Sequence, residues 1–96
     1  MNNLTLKQLR YFEALARYRH FGHAAEASSV SQPALSVQIR ELEDSLGAAL
    51  FDRSARQVRL TAFGEEIADR VGAILRSVDE LSDFARAAQG SMVERV

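Results

Sequence analysis

The sequence predicts a mainly α-helical fold in which three short helices and a two-stranded hairpin are followed by one long helix. Three observations carry that expectation. Apolar residues recur at spacings of three and four over much of the chain, an Ala-rich run leads through a polar turn into the helix start Ser31-Gln32-Pro33, and an unbroken apolar ladder follows Thr61.

The first helix announces itself at Thr5-Leu6-Lys7-Gln8, which has the Thr-x-x-Gln form of a capping box. Leu6, Leu9, Phe12, Leu15 and Ala16 then recur at helical spacing and predict a core helix from Leu6 to Tyr18. Phe21 and Gly22 interrupt the pattern and admit a second helix, His23-Ala24-Ala25-Glu26-Ala27-Ser28, whose small side chains let a neighbouring helix come close. Ser28, Ser29 and Ser31 read as turn and capping serines, since no positioned base could make a nucleophile of them.

The third helix starts with Ser31 or Gln32 as its cap and carries Pro33 in the first turn, where a missing N–H costs nothing. Leu35, Ile39, Leu42 and Leu46 form one buried stripe, and Gly47 closes the helix in the left-handed conformation. Turning 100° per residue from that stripe puts Pro33, Val37 and Arg40 on the opposite face, with Ala34 and Ser36 on its flanks and Gln38 near the core boundary. Glu41, Glu43 and Asp44 read as a solvated acidic face that would repel phosphate. The N-terminal turns are therefore the ones expected to dock. Helix two, the polar turn and helix three together have the form of a helix-turn-helix, whose second helix is shaped to enter a major groove.

Leu50-Phe51-Asp52-Arg53 and Gln57-Val58-Arg59-Leu60 are two extended segments joined by Ser54-Ala55-Arg56, a hairpin that reads as a wing. Leu50, Phe51, Val58 and Leu60 would pin it to the core while Arg53, Arg56 and Arg59 project toward phosphate or a minor groove. From Thr61 the chain is expected to form one helix, with Ile67, Val71, Ile74, Val78, Leu81, Ala85 and Ala88 as a heptad seam. Such a stripe needs a partner helix, most simply that of a second copy. Gly90-Ser91 is expected to end the helix, leaving Met92-Val93-Glu94-Arg95-Val96 as a linker.

Composition narrows the alternatives. A chain of 96 residues cannot bury a large core by itself, which points to oligomerisation. With 47% hydrophobic and 26% charged residues it is neither disordered nor membrane-embedded, and the start Met1-Asn2-Asn3-Leu4-Thr5 has no signal-peptide form. The absence of Cys excludes disulfides and thiol redox chemistry and fits the cytoplasm. The formal net charge of −1 hides an asymmetry: residues 1–61 hold eight Lys/Arg against six Asp/Glu, and the remainder four against seven. The first part is the plausible nucleic-acid face. His20 and His23 lack a third ligand, so no metal is expected, and no residues converge as a catalytic pocket or a cofactor site.

The strings RHFGHAAEA, VSQPALSVQIRELEDSLG and ALFDRSARQVRLT, in that order and spacing, resemble the N-terminal domain of LysR-type transcriptional regulators, and the resemblance covers essentially the whole chain. Within that family the first two strings look most like the branch of peroxide-responsive activators. The resemblance implies a winged helix-turn-helix over residues 1–61, a linker and dimerisation helix over 62–89 and, from 90–96, a lead into a C-terminal effector-binding domain. It implies double-stranded DNA with two-fold-related sites as the partner, an antiparallel helix pair as the dimer, a tetramer in the intact protein, and no enzyme activity. The residues expected at DNA are Ser31, Gln32, Pro33, Ala34, Ser36, Val37, Gln38, Arg40, Arg53 and Arg56. Val37 stands where many family members carry a long polar or basic residue, which leaves apolar contact with a thymine methyl as its role. The competing expectation is a protein-interaction module built on the same scaffold.

Overall fold

The computed structural model describes residues 3–54 and 56–94, the last four of these as backbone. Ala55 in the hairpin turn, and Arg95 and Val96 of the expected linker, lie outside the described residues. Four helices and a two-stranded sheet follow in the order α1 (Leu6–Tyr18), α2 (Phe21–Ala27), α3 (Gln32–Leu46), β1 (Phe51–Asp52), β2 (Arg59–Leu60) and α4 (Ala62–Glu94).

Helix α1 starts in the expected capping box: the Gln8 amide N–H donates to Thr5 Oγ1 at 3.1 Å, and Thr5 N–H donates to Gln8 Oε1 at 3.3 Å. It ends at Arg19, which takes a left-handed conformation (φ 54°) and donates its N–H to the Leu15 carbonyl. Helix α2 begins two residues earlier than the sequence suggests. His20 is its cap, with Nδ1 accepting from His23 N–H at 3.1 Å, so Phe21 and Gly22 are helical rather than a break. A histidine acceptor does here what Ser or Asp more often does, and a scan for the usual cap residues passes over it.

Helix α3 is capped by Ser31, whose Oγ accepts from Ala34 N–H at 3.2 Å, and closes at Gly47 with φ 87°. Leu35, Ile39 and Leu42 are fully buried, whereas Leu46 packs partly buried at the rim. The wing is shorter than the two four-residue segments of the sequence reading: its antiparallel ladder pairs Phe51 with Leu60 and Asp52 with Arg59. Thr61 then joins the sheet to α4. Its Oγ1 accepts from Gly64 N–H at 2.9 Å and donates to the Ala49 carbonyl at 2.8 Å. Gly64 is required there, because a Cβ at that position would lie 2.1 Å from the Leu50 carbonyl oxygen.

One core joins all these elements. Phe12, Leu15, Leu35, Ile39, Leu42 and Leu50 are its largest fully buried side chains, the Phe12 and Phe51 rings meet at 5.4 Å, and Val71 and Leu75 close it from α4. Ala24 and Ala25 sit fully in the contact, which lets α2 lie close beneath α3. The remainder of α4 projects, giving an elongated molecule of 59 × 28 × 20 Å. The helix also runs through Gly90-Ser91 to Glu94 instead of stopping. A single Gly costs a helix only about 1 kcal/mol, and no Pro or left-handed glycine follows to end it; among the described glycines only Gly47 has positive φ.

Candidate nucleic-acid interface

Side chains on the outer side of α3 are presented by a helix whose inner side is locked in the core. Ser31, Gln32, Pro33, Ala34, Val37 and Arg40 are exposed, and Ser36 and Gln38 are half-buried. Gln38 is committed inward, since its Oε1 accepts from Nε2 of the buried Gln8 at 3.2 Å. Its position at the core boundary was legible from helical phase; its partner on α1 was not. Ser36, Val37 and Arg40, with Glu41 and Asp44, line a shallow hollow of about 200 Å³. Arg40 enters no hydrogen bond or ion pair among the described residues. A larger hollow of about 690 Å³ lies on another side of the molecule, along α1 and the end of α2, bordered by Lys7, Arg10, Arg17 and Tyr18.

The start of α3 meets the start of α2. The His20 and His23 rings stack at 4.1 Å, and a Cβ on Gly22 would stand 3.0 Å from His20 Cε1 and 3.6 Å from Gln32 Oε1. Gly22 thus leaves the space in which the His20 ring and the Gln32 amide approach. Among the described residues no three His, Asp or Glu side chains come together to hold a metal.

On the wing, Arg56 and Arg59 are exposed, and Asp52 accepts from both the N–H and the hydroxyl of Ser54 at 2.9 and 2.6 Å. Those bonds, with a smaller contribution from the Arg59 charge, hold the Asp52 carboxyl below its ordinary range. Arg53 does not project freely. Its guanidinium bonds Glu43 Oε1 at 3.1 Å and lies 5.6 Å from the centre of the Phe21 ring. Glu43, expected with Glu41 and Asp44 on a solvated face, is instead buried at 8% exposure. The correction has a clear cause: its other oxygen accepts the Leu50 and Phe51 N–H groups, which satisfies a carboxylate that burial would otherwise penalise.

The apolar ladder of α4 divides between two surroundings. Val71 is 3% exposed and belongs to the chain's own core, and Ile67 and Val78 are half-buried, so the seam is not uniformly open. Ile74 is 45% exposed and Leu81 68%, with Ala85 exposed and Ala88 half-buried farther along. Two residues escaped the heptad reading. Leu75 fills the core beside Val71, and Phe84, 72% exposed, enlarges the outer stripe; a spacing of three from Leu81 was the available signal for it. Arg10 and Asp79 tie α1 to α4 at 3.2 Å, but both are solvated and such pairs contribute little.

Comparison with known proteins places this geometry. Residues 6–65 match the family model described as bacterial regulatory helix-turn-helix protein, lysR family. The chain is similar to the RuBisCO operon transcriptional regulator of Allochromatium vinosum, at 42% identity over 92% of this chain and 29% of the relative. It is 44% identical to the DNA-binding transcriptional dual regulator OxyR of Escherichia coli, over 85% of this chain and 27% of that protein. It therefore spans less than a third of the length of these curated relatives. Among solved structures, the BenM DNA-binding domain in complex with catB site 1 DNA superposes with a TM-score of 0.84 at 34% identity, covering 86% of this chain and 92% of that one.

Proposed function

Because the chain belongs to the lysR family of bacterial regulatory helix-turn-helix proteins, we propose that it is the part of a transcriptional regulator that binds double-stranded DNA sequence-specifically. The observation that carries the proposal is the outer face of α3, where Gln32, Pro33, Val37 and Arg40 stand exposed from the first turn to the middle of a capped helix held by the core. That face is small enough to enter a major groove, and its one formal charge, Arg40, has no carboxylate partner among the described residues. Gln32 can pair bidentately with adenine, Arg40 can reach a guanine edge or a phosphate, Ser36 serves either base or backbone, and Arg56 extends from the wing to a minor groove or its phosphates. The similar BenM domain, solved on DNA, supports the reading.

The action is equilibrium binding rather than catalysis. Two copies joined by the outer part of α4, residues 62–89 acting as linker and dimerisation helix, would set two reading helices on a two-fold-related site, with a tetramer in the intact protein. Residues 1–61 form the DNA-binding unit and 90–96 lead toward an effector-binding domain. No helix among the described residues is long and apolar enough to cross a membrane, and the reading places the protein in the cytoplasm with its target. The similarity to relatives named hydrogen peroxide-inducible genes activator supports a role at peroxide-response genes.

A salt titration on duplex DNA tests the proposal. Binding should weaken steeply as salt rises, because phosphate contacts release counterions. Arg56→Ala should lower affinity for cognate and random duplexes alike and flatten the salt slope by about one. Salt-independent association, or none, would instead favour a protein-interaction module. Footprinting on fragmented genomic DNA then reports the symmetry of the site and whether it lies before peroxide-response genes.

A further inference from the structure

We infer that Glu43 is a positioning residue that fixes the wing to the reading helix, so that the reach of Arg56 depends on a carboxylate which itself faces no DNA. The inference rests on the DNA-binding reading above. Its starting point is that the wing cannot hold itself: a ladder of Phe51↔Leu60 and Asp52↔Arg59 is too short to be stable alone. Something must therefore set its angle to α3.

Glu43 has the geometry for that task. It stands on the C-terminal half of α3, 8% exposed, with Oε2 accepting Leu50 N–H at 2.8 Å and Phe51 N–H at 3.3 Å. Oε1 takes the Arg53 guanidinium at 3.1 Å, and that guanidinium lies over Phe21 at the start of α2. One side chain thus ties the reading helix to both ends of β1 and, through Arg53, to α2. Two other anchors of the wing lead elsewhere, Phe51 to Phe12 on α1 and Val58 N–H to the Arg19 carbonyl at 3.3 Å, while the Thr61 N–H bond to the Leu50 carbonyl at 3.0 Å closes the hairpin on itself. Among the hydrogen bonds and ion pairs of the described residues, Glu43 alone joins α3 to the wing.

Glu43→Gln is the discriminating change. The Gln carbonyl can still accept the two backbone N–H groups, but its NH₂ then faces the Arg53 guanidinium, donor against donor. Affinity for cognate and random duplexes should fall roughly tenfold, as expected for loss of a charge-assisted bond, with base preferences unchanged. The sharper readout is a double-mutant cycle with Arg56→Ala, two residues with no contact between them. If Glu43 sets the wing, Arg56→Ala costs much less in the Glu43→Gln background than in the parent. Equal cost in both backgrounds overturns the inference, as does parental affinity for Glu43→Gln.

Amide hydrogen exchange on the free protein keeps the test independent of DNA. In Glu43→Ala, which removes the acceptor altogether, exchange should quicken at Leu50 and Phe51 while the core amides of α1 and α3 keep their rates. A uniform rise would make Glu43 a support of the whole fold, and no rise would make it dispensable to the wing; either result sinks the idea. A parent that binds no duplex while this exchange pattern still appears would remove the proposed function and leave the clamp standing.

Discussion

The outer faces of α3 and α4 are two of the surfaces this small fold leaves open, and they differ in kind. Both helices are anchored the same way, α3 by Leu35, Ile39 and Leu42 and α4 by Val71 and Leu75, all in one core. What faces outward from α3 is short and mostly polar, with Val37 its one exposed large apolar side chain; what faces outward from α4 is Ile74, Leu81 and Phe84. A narrow polar ridge suits a groove lined by hydrogen-bonding base edges, whereas a stripe of large apolar side chains lowers its free energy only by meeting another such stripe. Exposure therefore separates the helices' tasks better than amphipathicity, which they share.

The contrast is broken most severely by moving a charge from one side of α4 to the other. Val71→Asp places an unpaired carboxylate in the core and should cost about 3–5 kcal/mol, enough to unfold much of a small domain at ambient temperature. Loss of helical circular dichroism and of the cooperative melt would register it. A Val71→Asp protein that melts like the parent would mean that α4 does not close the core.

Next in size is Leu81→Asp. Leu81 is 68% exposed in the single chain, so helicity should persist while the dimer dissociates at micromolar concentration. Sedimentation would show the monomer, and affinity for a duplex with two half-sites should drop toward that for one. A dimer that survives would move the contact off this stripe.

The same contrast explains what was legible in the sequence. Periodicity located α1, α3 and α4, because apolar residues such as Leu9, Phe12 and Leu15, or Leu35, Ile39 and Leu42, repeat within one helix, whereas α2 was read from its Ala-rich run. It failed where a residue's surroundings come from elsewhere in the chain. Glu43 resembles Glu41 and Asp44 in sequence, yet only Glu43 meets the Leu50 and Phe51 amides, a contact set by how the wing folds back. Val71 and Ile74 are equivalent in a heptad, yet one is covered by the chain itself and the other is not. Gly64 under the Leu50 carbonyl likewise depends on a tertiary neighbour, whereas the His20 cap is local and was missed because histidine is an uncommon cap. Of the residues expected at DNA, the exposed set at the start of α3 followed from phase alone. The engagement of Arg53 by Glu43 did not.

On the α3 side the largest effect belongs to Gln32, whose amide stands exposed at the first helical position beside the His20 ring. Gln32→Ala should reduce discrimination at one base-pair step in each half-site by roughly 1–3 kcal/mol, with little change on non-specific DNA. A binding-preference profile superimposable on the parent's would shift the source of specificity to DNA shape.

Val37 gives the smallest effect and the finest distinction between the two faces. It is 53% exposed and carries only methyl groups to offer a partner. On α4 an apolar side chain would be buried by another helix; on α3 the only apolar feature a major groove presents is the thymine C5-methyl. Val37→Ala removes two methyl groups from a contact that can be only partly enclosed, so the loss should be about 1 kcal/mol or less and confined to a step carrying thymine. Replacing that thymine by uracil should cost the parent a similar amount and cost Val37→Ala almost nothing, since each change deletes one side of the same contact. If the two losses add, Val37 does not touch that methyl, and its exposure on an otherwise polar ridge reflects tolerance of a solvated side chain rather than a reading contact.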